Sequence, residues 1–322
     1  MNKESTMVLL LVQYIFPLII LLASAILYIK IAAHFNIIDK PNDRSSHQVP
    51  TIRGGGIIFV ISTVPFFFWN NFSYPYLLLA LLSAGLISFI DDIFTVNNRF
   101  KFSIHVISVL LIFKECNLLF TLAPVYLFII AIIVIGTINA YNFMDGINGI
   151  TGLYSLAIVI PLLLTESNPA LKSLESFTVM GLLVFNIFNT RKKARCFAGD
   201  VGSITIAILI VFILISRIQN TNQFIYIGLL LLYGIDTVFT IIHRLYLKEN
   251  IFKPHRKHLY QYLSNEKKLP HVFVSSLYAG LQFIINITIV FSIISYIKLF
   301  ILFMLLSLCY WLLKMQSMRI NA

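Results

Sequence analysis

The sequence predicts an all-α polytopic integral membrane protein with about eleven transmembrane helices, in one domain covering residues 1–322. Three observations predict it. Only 11% of residues are charged and 59% are hydrophobic, whereas a soluble domain of average composition is about 25% charged. Apolar runs recur from end to end, most of them long enough for a hydrocarbon core that takes about 20 apolar residues. Basic residues, finally, gather in alternate loops.

The apolar runs place helices at 7–30, 55–70, 75–92, 102–114, 119–140, 150–165, 174–189, 201–218, 222–246, 271–291 and 294–313. The first run, from Met7 to Ala33, is too long for a secretory signal and lacks its small-residue cleavage site, so it reads as a retained span. Orientation follows from loop charge. With the N-terminus outside and the C-terminus inside, 19 of the 24 Lys and Arg residues fall on the inner side, leaving Lys3, Lys114, Lys172, Arg217 and Lys298 outside. The net charge of +11 therefore reports topology and contact with membrane lipids, not nucleic acid. Cys116, Cys196 and Cys309 are widely separated, so they indicate neither a disulfide framework nor a zinc site.

Acidic residues are sorted too. All seven aspartates (39, 43, 91, 92, 145, 200 and 236) fall on the inner side, while Glu4, Glu115, Glu166 and Glu175 fall outside. Positive-inside sorting does not require this. Carboxylates from several helix ends on one membrane face point to a metal or acid–base site there; the alternative for each aspartate alone is a helix cap.

The first inner loop, DRSSHQVPTIRGGG, combines Arg44, His47 and Arg53 with Gly54 to Gly56 at the start of a span. Such glycines let backbone approach a ligand and open helix N–H groups to an anion; the alternative is a basic loop on anionic headgroups. Asp91 and Asp92 end the third span, where adjacent carboxylates are costly unless they bind a cation or take a proton. In NFMDGING, Asp145 and Asn148 share a face if the segment is helical, with Asn139 and Asn142 at the same end. In CFAGDVGS, Asp200 sits between glycines, after a basic run and before an apolar helix. That pattern suits a phosphate–Mg²⁺ site, since Mg²⁺ takes one or two carboxylates plus phosphate oxygens. In the last inner loop His255, Arg256, Lys257 and His258 form an anion trap at the membrane surface. Asp236 either pairs with Arg244 or does chemistry, and both readings stand.

Taken in order, DRSSHQVPTIRGGG, the Asp pair, NAYNFMDGING, FAGDVGS, DTVFTIIHRL and HRKHLYQ resemble the polyprenyl-phosphate N-acetylhexosamine-1-phosphate transferases, glycosyltransferase family 4. The resemblance implies catalytic roles for Asp91, Asp92 and His258, with Asp200 as the ligand of Mg²⁺, or of Mn²⁺ in its place. It implies substrate contacts for Asp145 and Asn189, and stacking of uracil on Phe197; Asn148, Arg53, His47, His255 and Arg256 join them as candidate substrate contacts on their own chemistry. The implied partners are undecaprenyl phosphate, a UDP-N-acetylhexosamine donor and a second copy in a homodimer. The implied location is the bacterial cytoplasmic (inner) membrane, with the active site on its cytoplasmic face. Two departures, Asn148 where much of the family has an acid and the run His258-Leu259-Tyr260-Gln261 in place of a histidine cluster, resemble the O-antigen initiating branch. That branch uses 6-deoxy donors such as UDP-FucNAc or UDP-QuiNAc, with UDP-GlcNAc as the alternative. Two rivals predict other features. An ion-coupled transporter would carry acids at the midplane and broken helices in paired halves, and a prenyltransferase would carry two Asp-rich motifs in place of FAGDVGS and the His loop.

Overall fold

The structure, a computed structural model, describes residues 11–41, 46–251 and 255–320. Asp43, Arg44 and Lys253, like Lys3 and Glu4, lie outside the described residues. Among those described, eleven α-helices have 13 residues or more: α1 (Phe16–His34), α2 (Ile57–Trp69), α3 (Pro75–Ile93), α4 (Asn98–Glu115), α5 (Pro124–Met144), α6 (Ile150–Leu163), α7 (Pro169–Asn189), α8 (Gly199–Thr221), α9 (Leu231–Tyr246), α10 (His271–Val290) and α11 (Tyr296–Ile320). Eight spans are long and apolar enough to cross a membrane, and Ile57–Trp69 and Ile150–Leu163 are shorter apolar helices. α4 carries Arg99, Lys101, His105 and Lys114 and belongs to neither group.

Proline sets several starts, because its missing N–H costs nothing in a helix's first turn. The run expected at 119–140 begins at Pro124, after a single turn at Leu118–Thr121, and continues to Met144. The run expected from 174 begins at Pro169, where the Asn168 side chain accepts from the Leu171 N–H at 2.7 Å. The run expected at 222–246 is split into a 3₁₀ segment, Phe224–Leu230, and α9. Among the described residues the departures from all-α are a ribbon of two short antiparallel strands, β1 (Ile38–Asp39) and β2 (Thr51–Ile52), and an isolated bridge between Ile52 and Cys196.

α8 is the central post. Its span is 83% buried, against 11% for the span that begins α11. It packs on α3 and α5 and crosses the start of α2, where a Cβ on Gly56 would collide with the Gly202 backbone. Only glycine permits that approach. Successive helices alternate in direction. The C-terminal ends of α3, α5 and α7 and the N-terminal ends of α2, α6 and α8 therefore meet at one end of the bundle.

Candidate active site

At that end the first loop is paired onto the CFAG segment by backbone. Phe197 N–H donates to Ile52 O at 2.8 Å, Gly55 N–H to Phe197 O at 2.8 Å, and Gly56 N–H to Ala198 O at 3.0 Å. The glycines expected to expose N–H groups to an anion thus spend two of them on the chain itself. Their small size lets the two segments touch: a Cβ on Gly55 would press on Cys196 Sγ. The pairing carries Arg53 to the N-terminus of α8.

There a cluster of charge forms. Asp92 accepts from the Asp200 N–H at 2.9 Å and the Val201 N–H at 3.1 Å, so it caps α8 from the end of α3. Gly199, at φ +71°, leaves the room this needs, since a Cβ there would collide with Asp92 Oδ2. Arg53 Nε lies 2.8 Å from Asp92 Oδ1, and Arg53 Nη2 lies 3.4 Å from Asp200 Oδ1. Lys101 Nζ sits 2.6 Å from Asp91 Oδ2 and 3.5 Å from Asp200 Oδ2. Asp91 also accepts the Val96 N–H at 2.8 Å, which fixes the turn between α3 and α4. The adjacent acids diverge, Asp92 toward α8 and Asp91 toward α4. Asp200, between the two cations, is held by neither at a short distance.

In NFMDGING, Asn142 to Met144 end α5 and Asp145 to Gly149 form the turn to α6, so Asp145 and Asn148 are not paired on a helical face. Asp145 accepts from Thr151 Oγ1 at 2.6 Å. Burial, with the charge of Asp200 adding to it, pushes the Asp145 pKa up to about 6, against the opposing hydrogen bond from Thr151. Asn148 Nδ2 donates to Arg191 O at 2.7 Å and Lys192 O at 3.3 Å. Asn189 accepts the Gly149 N–H at 2.6 Å and donates to Cys196 O at 2.8 Å. The two amides stitch this turn to the RKKAR loop, a job needing a donor that a carboxylate lacks.

These segments enclose a polar cavity of about 320 Å³. Arg53, Asp145, Asn148, Asn189, Phe197 and Asp200 line it, together with His47, whose ring centroid lies 4.8 Å from that of Phe197.

Comparison with known proteins bears directly on this geometry. The pattern of Glycosyl transferase family 4 matches residues 74–218, a stretch holding the Asp pair, NFMDGING and FAGDVGS. The undecaprenyl-phosphate alpha-N-acetylglucosaminyl 1-phosphate transferase of Yersinia pestis is 25% identical over 272 residues, covering 75% of this chain and 74% of that protein. The protein of the same name from Escherichia coli K12 is 26% identical over 262 residues, 72% of this chain and 70% of its own length. A phospho-N-acetylmuramoyl-pentapeptide-transferase of Dictyoglomus thermophilum is 29% identical over 167 residues, 46% of this chain and 54% of its own. Residues 74–218 are therefore similar to glycosyl transferase family 4, and the longer matches are to proteins with the name of a sugar-phosphate transferase.

Not every residue singled out from the sequence reaches the cavity. Asp91 and Asp92 stand behind Asp200 and do not line it. His258, His255 and Arg256 do not line it either; their loop contributes Gln261. Arg256 lies 3.8 Å from Glu266 at the surface. Burial, followed by the charge of His258, Arg244 and Lys314, holds the His255 pKa down to about 3, so this imidazole brings no charge to an anion trap at neutral pH. Asp236 pairs with His258, not with Arg244, which donates to Asn250 O and Ile251 O and contacts Glu249. Four contributors were given no site role from the sequence: Ser46, Lys101, Gln261 and His271. Lys101 had one signal, since it lies ten residues beyond Asp91 in a basic stretch on the same face.

Proposed function

We propose that this protein transfers an N-acetylhexosamine-1-phosphate from a UDP-sugar to undecaprenyl phosphate, releasing UMP. The observation that carries the reading is the cavity itself, where Asp145, Asp200, Arg53 and Phe197 converge within reach of Lys101. The names of the relatives agree with the reaction class. The cavity opens to the cytosol, the end rich in Lys and Arg, in the inner membrane of a bacterium, and the N-terminus lies outside.

The donor set fits Mg²⁺. Asp200 offers hard carboxylate oxygens whose cationic neighbours stand off at 3.4 and 3.5 Å. Among the described residues no three acidic, His or Cys side chains form a cage, as expected of an ion that completes its shell with phosphate oxygens and water. When bound, the ion neutralises charge on the donor's diphosphate. The chain's own residues do the rest. Arg53 and Lys101 are placed to turn from Asp200 to phosphate oxygens. Asp92 holds Asp200 at the helix start, and Asp91 holds Lys101. Phe197 offers an aromatic face to the base. The acceptor needs little activation, because a phosphate monoester loses its second proton near pH 6. Transfer makes one P–O bond from the lipid phosphate oxygen to the sugar-bearing phosphorus and breaks the bond to UMP.

For the donor, Asn148 favours a 6-deoxy sugar such as FucNAc or QuiNAc and an O-antigen or other envelope glycan, while the relatives' names favour GlcNAc. Incubation of purified protein with undecaprenyl phosphate, Mg²⁺ and a panel of UDP-N-acetylhexosamines separates these. UMP release that requires lipid and metal supports the reading, and no turnover with any donor would sink it.

A further inference from the structure

Away from the cavity, Asp236 in α9 forms the hub of a second polar network. It is 1% exposed, and six donor groups from four segments surround its carboxylate. Oδ1 lies 3.1 Å from His258 Nδ1, accepts the Leu259 N–H at 3.1 Å, and has Tyr310 Oη at 3.1 Å and Thr240 Oγ1 at 3.4 Å. Oδ2 accepts from Tyr278 Oη at 2.7 Å and from the Tyr260 N–H at 3.4 Å. Two of these donors are backbone amides, which can only donate, so the carboxylate is the acceptor throughout. His258 Nδ1 therefore carries a proton, and an imidazole so held has only Nε2 left for a ligand. His258 Nε2 is buried and has no hydrogen-bond partner among the described residues.

The loop leads from this hub to the cavity. His258 begins the turn Leu259–Gln261, and the Gln261 side chain, which lines the cavity, accepts the His258 backbone N–H at 3.3 Å. Tyr260 Oη donates to Phe143 O at 2.9 Å, two residues before Asp145. His258 is 1% exposed, and the rings of His255 and Tyr260 stack on it at 5.0 and 5.8 Å.

We propose that Asp236 is the positioning residue of His258: it binds Nδ1, fixes the ring, and commits Nε2 to a phosphate group of the substrates, accepting from a P–OH or, once Nε2 also carries a proton, donating to a phosphate oxygen. This rests on the phosphosugar transfer proposed above. A carboxylate behind an imidazole is a recurrent device for setting tautomer and orientation, and behind metal-bound imidazoles losing such a partner costs about 10- to 100-fold in affinity or activity.

The test compares Asp236→Asn with Tyr278→Phe and Tyr310→Phe, which strip hydroxyls from the same carboxylate and leave the His258 contact. Asp236→Asn is expected to lower kcat by about 10- to 100-fold with donor and lipid KM unchanged. The two Tyr variants are expected to keep kcat within about threefold, on the scale of one ordinary hydrogen bond. In a His258→Gln background Asp236→Asn should cost nothing more. Equal kcat losses in all three variants would reduce Asp236 to a structural hub and overturn the proposal. Full turnover in His258→Gln would overturn it too, yet leave the phosphosugar transfer standing, because UMP release would persist. Should Asp236→Asn fail to fold, ¹⁵N spectra of histidine-labelled wild-type protein decide, with His258→Gln giving the assignment. A protonated Nδ1 is required, and a neutral ring protonated only at Nε2 contradicts the proposal.

Discussion

The two ends of the helix bundle bury charge in opposite ways. At the end away from the cavity, Arg217 of α8 meets Glu175 of α7 through both carboxylate oxygens at 2.8 Å. Its remaining N–H groups reach Leu162 O, Thr165 Oγ1 and Glu166 O at 2.7 to 3.1 Å. Every donor is used, and neither side chain is more than 2% exposed. At the cavity end, three carboxylates (Asp91, Asp92 and Asp200) share two cations, and Asp200 holds only long contacts. The saturated pair ties α7 and α8 to the turn after α6 and leaves nothing over for a ligand. The undersupplied cluster has an acceptor to spare, facing a cavity. The same ingredients give a brace at one end and a site at the other.

The largest effect is expected at the brace. Arg217→Met leaves Glu175 buried and unpaired, which costs about 3–5 kcal/mol of stability, while the folded fraction keeps its kcat. Glu175→Leu combined with Arg217→Met should recover most of the melting temperature, since apolar replacement of a buried pair is often neutral. A double variant as unstable as the single would mean that the pair does more than brace. Next comes Asp92→Asn. The amide keeps one acceptor for the α8 N–H groups and loses the charge that Arg53 meets, a loss of about 1–2 kcal/mol, read as a lower melting temperature.

The smallest effect concerns pH. The Asp145 pKa is raised from its ordinary 3.8 to about 6, so the folded chain binds that proton more tightly than the unfolded one. Its contribution to stability is complete below the ordinary value and is lost as pH rises through about 6. The melting temperature of the wild type should fall across that window relative to Asp145→Asn. Parallel curves would mean that Asp145 titrates normally.

The helices and the gathering of aspartates were legible in the sequence because apolar run length and loop charge are local properties. What escaped depends on how the chain turns. Lys101 reaches Asp200 only because Asp91 fixes the turn at Val96 and α4 folds back along α3. Arg217 read as one more outside base, and its partner lies 42 residues away. The Gly54–Gly56 run promised a ligand's backbone and instead docks CFAG, a long-range pairing that spacing does not encode. Asp236 left two readings open, and the structure sets aside the pair with Arg244 by giving it His258. Asn148 resembled a branch marker, and its amide also holds the RKKAR loop.

The claim that the cavity end is a site short of a cation is tested most directly by a metal titration. UMP release would be measured from low to saturating Mg²⁺ in wild type and in Asp200→Asn, with undecaprenyl phosphate and an accepted UDP-sugar. Wild-type activity should rise and saturate, with Asp200→Asn at least about a hundredfold slower at limiting metal, the scale of losing one electrostatic contact in a transition state. Superimposable curves for the two proteins would contradict the account.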